Sequence, residues 1–401
     1  MIRRPHFQTA TLTLDEDMAT ALREGMAVRL PEVTLQRRIS AGFWVATGTF
    51  LAILLLIALG TLHNAMAALL GAAVVLGVSL VGRPLSEDLF IFSFEQALSY
   101  VDFNVIFLVM GMMIVIGIIE ETGVFQWTAY QAYRLSRGRA WLLAIILMVV
   151  TAVASALLDN VTTMLLMAPI TLQIALALGI DPLSLLLPEV LASNVGGIST
   201  LIGTPTNILI GSYAHIGFND FLINLTPGVV LALAVLTGYV LAVYWKEYRK
   251  AGARLSSGLL DRLRENARIM EPGLLCKMGV VFTGMLVLFV LGERLHLPPA
   301  VTAILGAVAA LLWAKPDIEE MLQVVDWTTL IFFIALFIVI GAIEEVGLIS
   351  TVALGIKRVV GPNLDLAMAI FTGSAALASG VVDNIPFAAA MLPVAGYLTR
   401  Q

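Results

Sequence analysis

An aspartate beside an asparagine within apolar sequence is the first chemistry this chain offers. The stretch Ser155-Ala-Leu-Leu-Asp159-Asn160-Val-Thr162-Thr163 lies between two apolar runs. A carboxylate at bilayer depth costs at least about 2.5–3.5 kcal/mol unless it is paired, hydrated or ion-bound. Asp, Asn and hydroxyls this close together make an oxygen cage for a small hard cation, or a titratable carboxylate for a proton. Asp and Asn are also good N-caps for a helix beginning near residue 161, and the two roles are compatible. The second stretch is Ser193-Asn194-Val-Gly196-Gly197-Ile-Ser199-Thr200-Leu-Ile-Gly203-Thr204-Pro205-Thr206-Asn207. A continuous helix through Gly-Thr-Pro-Thr-Asn is unfavourable, because proline removes a backbone donor and clashes with the preceding turn. Unwound backbone is tolerated in a membrane only where protein buries it or it lines a wet cavity. Its carbonyls can bind a cation, and a half-helix N-terminus offers amides to an anion. A kink alone would not call for so many polar side chains.

Other polar residues carry less. Glu120-Glu121 and Glu344-Glu345 end apolar runs and read as interfacial, or as the lining of an entry vestibule. Glu189, after Pro188, reads as the start of a helix, where a carboxylate suits the positive end of the dipole. The methionines at 110–113 read as packing. His6, His63, His215 and His296 show no ligand spacing. Val124 to Arg139, with Trp127, Tyr130, Tyr133 and three arginines, reads as an amphipathic helix lying in the interface. No Gly-x-x-x-x-Gly-Lys-Ser/Thr loop, His-Glu-x-x-His or Gly-x-Ser-x-Gly is present, so the chain reads as a non-enzyme without a cofactor. The single cysteine, Cys276, excludes an intrachain disulfide and a cysteine-cluster metal site.

Only a membrane can position these residues. Of the 401 residues 59% are hydrophobic and 13% charged, against about 25% charged in soluble proteins. Eleven charges crowd into residues 1–41 and twelve into 246–277, leaving the rest too apolar for a water-facing surface. Net charge is −5, with no basic stripe for nucleic acid. No cleavable signal peptide is visible. Apolar runs at 41–60, 65–82, 103–119, 140–158, 161–179, 184–211, 221–245, 274–292, 299–314, 329–343, 366–382 and 385–398 read as spans. Three are interrupted: 161–179 at Pro169, 184–211 at its glycines and prolines, and 385–398 at Pro386 and Pro393.

The chain also repeats itself. Residues 101–169 fall on 325–393 without a gap, with 21 identities in 69 positions. Glu120-Glu121-x-Gly123 meets Glu344-Glu345-x-Gly347, Ser155-x-x-x-Asp159-Asn160 meets Ser379-x-x-x-Asp383-Asn384, and Met167-x-Pro169 meets Met391-x-Pro393. Alignment of the polar residues marks a duplication, the build of many secondary transporters. The counterpart of residues 188–245 would lie past Gln401, and truncation is the expectation drawn from that. The expected organisation is a polar arm (1–41), a first repeat (42–245), a basic cytoplasmic linker (246–277) and a second repeat (278–401) with inverted topology. Eight Lys and Arg place the linker in the cytoplasm. The arm is placed outside, although its six arginines argue otherwise.

The motif apolar-Asp159-Asn160-x-x followed by Gly196-Gly197 and the Gly203-Thr204-Pro205-Thr206-Asn207 break resembles the ion transporter superfamily. The match is nearest to its arsenite permease, NhaD-type sodium–proton antiporter and P protein branch, and more distant from the sodium-coupled dicarboxylate and citrate carriers. The resemblance covers about 41–401 and implies inverted repeats, each with a re-entrant hairpin and a broken helix, in homodimers working as elevators. By that resemblance Ser155, Asp159, Asn160 and Thr162 form the first tip, Gly203 to Asn207 the broken-helix loop, and Ser379, Asp383 and Asn384 the second tip. The carboxylate carriers have Ser-Asn-Thr at the tip, so Asp159-Asn160-Val161 favours the cation or metalloid branch. The expectation is an all-α polytopic protein of a bacterial inner membrane, a secondary active permease for a small ion or anion coupled to H⁺ or Na⁺. The alternatives are sodium-coupled dicarboxylate or citrate import, or a channel-like or non-transporting derivative. Ser193 and Asn194 join the binding set, and Ser155, Asp159, Asn160, Gly203 and Asn207 are the donors for a Na⁺.

Overall fold

A computed structural model describes residues 6–7, 37–250, 269–361, 364–380 and 382–399. Most of the N-terminal arm and of the basic linker, and with them many of the charges that bear on orientation, lie outside the described residues. The protein is an all-α polytopic membrane protein. Eight helices among the described residues are long and apolar enough to cross a bilayer: Ala41–Ala58 (α1), Asn64–Gly82 (α2), Phe103–Glu121 (α4), Ala140–Leu157 (α6), Asn160–Leu178 (α7), Phe218–Tyr248 (α10), Pro272–Leu295 (α11) and Trp327–Val346 (α14). Between them run shorter helices: Phe94–Ser99 (α3), Val124–Ser136 (α5), Leu183–Gly197 (α8), Pro205–Ala214 (α9), Pro299–Ala314 (α12), Ile318–Val324 (α13), Leu348–Val360 (α15), Leu364–Ser379 (α16) and Asn384–Thr399 (α17).

Hydrophobicity is spread around these helices rather than confined to one stripe, as expected where lipid replaces water on the outer face. On α1 the buried Ala46, Phe50, Ile53 and Ile57 share a helix with the exposed Leu51 and Leu55. The 31-residue α10 buries only Phe218, Phe221, Val240 and Tyr248. Without a hydrophobic force between helices, association relies on small residues that let backbones touch.

The chain forms two compact units, residues 103–330 and the remainder. In the 103–330 unit, α4 packs on α12 and α6 on α8. Gly111 lies so close to α12 that a Cβ would sit 2.8 Å from the Ala303 carbonyl oxygen. A Cβ on Gly196 of α8 would sit 2.2 Å from the Ala152 oxygen of α6. In the other unit, Ile91 and Phe92, in the segment after α2, are buried, and one side chain serves their backbone. Ser79 Oγ accepts from Ile91 N (3.0 Å) and Phe92 N (3.1 Å) and donates to Phe92 O (2.7 Å). Tyr100 Oη donates to Glu345 Oε2 at 2.7 Å and Arg37 donates to the Glu345 carbonyl, which makes that glutamate a strut of the fold.

The duplication is visible in the elements. The helices α3 to α7 begin at 94, 103, 124, 140 and 160, and α13 to α17 at 318, 327, 348, 364 and 384, each 224 residues later. Gly123 and Gly347 precede α5 and α15 with φ of 75° and 93°, the left-handed turn that favours glycine. The segment from Val124 folds as the expected helix with Phe125, Ala129, Ala132 and Ser136 buried on one face.

Two expectations, the interruptions at Pro169, Pro386 and Pro393 and the place of Glu189, need correction. Helix α7 runs unbroken through Pro169 and α17 through Pro393. A proline removes one backbone bond, and with no water in the bilayer core to take over the remaining ones, the helix persists. Each arm of the expected hairpin at 140–179 has 18 or 19 residues, about 27 Å at 1.5 Å per residue, so either arm could cross a bilayer by itself. Glu189 sits in the middle of α8, not at a helix start.

These close approaches set a stability test. Gly196→Ala forces α8 off α6 and should cost about 1–3 kcal/mol, whereas Gly284→Ala on α11, with open space around it, should gain about 0.5–1 kcal/mol. Thermal unfolding in detergent compares the two, and equal midpoints would contradict the packing described.

Candidate functional site

Two residues join α6 to α7. Leu158 and Asp159 are both extended, and Asp159 caps α7. Its Oδ1 accepts from Thr162 N at 2.9 Å and its Oδ2 from Thr162 Oγ1 at 2.5 Å, while Thr163 Oγ1 donates to the Asp159 carbonyl. The cap role foreseen for this pair is therefore filled, and both carboxylate oxygens of Asp159 bond within its own turn.

The second polar stretch breaks as expected: α8 ends at Gly197 and α9 starts at Pro205. Thr204 Oγ1 accepts from Asn207 N at 3.1 Å, and Pro205 occupies the first helical position, where its missing N–H costs nothing. The Asn207 side chain then reaches back across the break. Its Nδ2 lies 3.1, 3.2 and 2.8 Å from the carbonyl oxygens of Gly197, Ile198 and Thr200. Three carbonyls expected to be open are thus shared by one amide, and Asn207 holds the loop through its nitrogen.

The structure brings this break onto the α6–α7 joint. Thr200 Oγ1 donates to the Ala156 carbonyl and accepts from Gly203 N. Ser193 Oγ lies 3.2 Å from the Asn160 carbonyl and 3.3 Å from Ser155 Oγ. A carbonyl only accepts, so Ser193 gives its proton to Asn160 and takes one from Ser155. Asn160 Nδ2 donates to Asn194 Oδ1 at 2.8 Å, and Asn194 Nδ2 donates to the Val190 carbonyl. Glycine permits the approach: a Cβ on Gly203 would lie 2.4 Å from Gly197 O and 2.9 Å from Ser155 O, and one on Gly197 would lie 2.9 Å from Gly203 O and 3.2 Å from Ser155 Oγ. Oxygens of Ser155, Gly197 and Gly203 therefore converge where the two glycines lack side chains.

Of the residues expected to hold Na⁺, Ser155, Gly203, Asn160 and Asn207 belong to this meeting of tip and break. Asp159 stands at its edge, bonded to Thr162. Thr206 is half-buried on the first turn of α9. Oxygen donors of this kind suit a hard monovalent cation, and no cluster of three or more His, Cys, Asp or Glu exists among the described residues.

The second tip lies in the other unit and is wired differently. Position 162 corresponds to Pro386, which has neither N–H nor hydroxyl to offer. Asp383 caps through Ile385 N at 3.3 Å instead, and its Oδ2 accepts from Asn64 Nδ2 at 3.0 Å. Ser379 Oγ donates to Asn384 Oδ1. Asn64, at the start of α2, gave no signal in the sequence because its partner is 319 residues away. Thr200 stood inside the polar stretch but carries no mark separating it from its neighbours. The histidines serve the backbone: His6 bonds the Ile91 carbonyl, His63 caps α2, and His215 and His296 end α9 and α11 in the left-handed conformation.

Comparison with known proteins places this architecture. The family model described as CitMHS, citrate transporter, matches residues 53–400. The chain is 38% identical to an uncharacterized transporter of Mycobacterium tuberculosis over 88% of this chain and 80% of that protein. It is 36% identical to the 46 kDa membrane protein of Mycobacterium leprae, over 89% of this chain and 81% of that protein. It is 33% identical to the human P protein over 87% of this chain and half of that protein, so the P protein branch indicated by the motifs is among its relatives. The family and several of the relatives are described as transporters, which implies a small solute and a bilayer, and bacterial relatives are consistent with an inner membrane. Helices, motifs and similarity along most of the length agree: the chain belongs to the CitMHS citrate transporter family of multi-pass membrane transporters.

Proposed function

We propose that the protein is a secondary active transporter that moves a small ion or anion in exchange for, or together with, H⁺ or Na⁺. The observation that carries this reading is the convergence of Ser155, Gly197 and Gly203 oxygens beside a glycine-rich break. In a bilayer, unwound backbone is retained where it is enclosed by protein or faces a solute. In this reading α6–α7 and α16–α17 are re-entrant hairpins of two inverted repeats, and transport is by an elevator movement within a homodimer. The common 224-residue offset of the helices supports the duplication on which that architecture rests.

Asp159 and Asp383 carry the charge that the coupling ion balances. No lysine or arginine belongs to either set of tip residues, so an anionic solute would enter with its cation. That favours cation or metalloid exchange. A second reading, sodium-coupled uptake of citrate, is favoured by the description of the matching family. Proteoliposomes under an imposed pH gradient, offered Na⁺, arsenite and citrate in turn, separate the two: Na⁺ or arsenite flux that collapses the gradient supports the first, and citrate uptake dependent on external Na⁺ the second. Flux far beyond any exchange stoichiometry would instead make the protein a channel.

Asparagine caps a helix as well as aspartate does, so Asp159→Asn should insert and fold normally while coupled flux is lost. Normal coupled transport by that variant would contradict the assignment. Gly203→Ala places a methyl against Gly197 O and Ser155 O and should reduce flux at least tenfold, the equivalent of about 1.4 kcal/mol, with membrane insertion unchanged by trypsin accessibility.

A further inference from the structure

One acidic side chain has no place in the scheme above. Glu189, in the middle of α8, is fully buried at 0% exposure. Its Oε1 accepts from Thr171 Oγ1 at 2.9 Å, and its Oε2 has no hydrogen-bond partner. The helices packed on α8 are α6, α7 and α10. Neither α6 nor α7 carries a titratable residue. On α10, Tyr248 Oη is engaged with the Ser184 carbonyl and Glu247 with Asp181 N, both more than a turn before Glu189. Lys246 adjoins them, Asp220 bonds Gly217 N at the opposite end of α10, and the remaining titratable groups there are Tyr239 and Tyr244. No ion pair to Glu189 occurs among the described residues.

A buried, unpaired carboxylate with a single donor is costly enough that such a group takes up a proton. The protonated form still leaves its Oε2 hydroxyl without an acceptor, which a glutamate kept only for packing would not need. Position supplies the reason. Glu189 lies one helical turn before Ser193, on the same face of α8, and both side chains bridge α8 to α7: Glu189 to Thr171, Ser193 to the Asn160 carbonyl. A shift of α7 along α8 that opens the Ser193–Asn160 contact for a solute must also strain the Glu189–Thr171 bond.

We propose that Glu189 is a proton-binding site whose proton exchanges with water as the Ser193–Asn160 contact opens and closes. Uptake forms an O–H bond at Oε2 with a proton from water and leaves the side chain neutral. Release breaks that bond, returns the proton to water and leaves a carboxylate. The inference rests on the transporter reading for its link to a cycle, but not for the proton itself.

Infrared difference spectroscopy of the full chain in proteoliposomes tests the proton directly. At neutral pH the wild type should show the C=O stretch of a protonated, buried carboxylic acid that shifts in D₂O. The band should vanish in Glu189→Gln and persist in Asp159→Asn. In Thr171→Val, should Glu189→Gln fail to fold, the band should move to higher wavenumber because its carbonyl loses a hydrogen bond. Absence of a Glu189 band, or a band whose proton never exchanges with D₂O, overturns the proposal. The link to transport is read with a trapped pH dye: Glu189→Gln should exchange labelled solute across the membrane yet lose the accompanying proton flux. Unchanged proton flux overturns the link. A wild type that moves none of Na⁺, arsenite and citrate overturns the transporter reading and the link together, while the infrared band decides the proton site independently.

Discussion

Backbone amides and carbonyls that leave a helix inside a bilayer must find partners within the protein, and this structure is arranged around that demand at residues 198–204. Asn207 answers most of it. From the first turn of α9 it spreads one amide over three carbonyls, of Gly197 at the end of α8 and of Ile198 and Thr200 in the break, while Thr204 caps the new helix and Thr200 ties the loop to Ala156. The break is a bonded structure held by three side chains and two bare glycines, and it is rigid in the sense that each of its parts satisfies another. In the proposed function, a solute binding there would compete with hydrogen bonds already made, as a site that binds and releases requires.

The same demand explains why the two copies differ. In the first, Thr162 occupies both carboxylate oxygens of Asp159. In the second, Pro386 can do neither, and Asp383 turns to Asn64 on another helix. Where threonine gives way to proline, the aspartate keeps a cap through Ile385 N and its second oxygen links α2 to the start of α17. Duplicated sequence gave two tips of the same composition. Local donor supply gave them different chemistry.

Close helix contact does the work that hydrophobic burial does in water. Gly111 against Ala303 and Gly196 against Ala152 let helices meet at backbone distance, and Gly71 leaves room for the side chains of Ile53 and Val339. The exposed leucines of α1 and the sparsely buried α10 are the complement of that packing: their solvent is lipid.

Much of this was legible beforehand. Composition demanded a membrane, because so few charges cannot cover a water-facing surface. The aligned Glu-Glu-x-Gly and Ser-x-x-x-Asp-Asn motifs gave the repeat, and Gly-Thr-Pro-Thr-Asn gave the break, since glycine and proline act through the local backbone. Prolines inside α7 and α17 misled, because their cost depends on what surrounds the helix rather than on the sequence beside it. Sequence by itself thus determined the membrane, the duplication and the residues that interrupt its helices. Tertiary structure alone decided that the α6–α7 joint meets the break, that Asn207 closes carbonyls expected to be open, that Asn64 finds Asp383, and that Glu189 lies buried in mid-helix with one oxygen unpaired. These are contacts between residues far apart along the chain or on different helices, and their energies are set by distance in space, which local propensity and spacing do not encode.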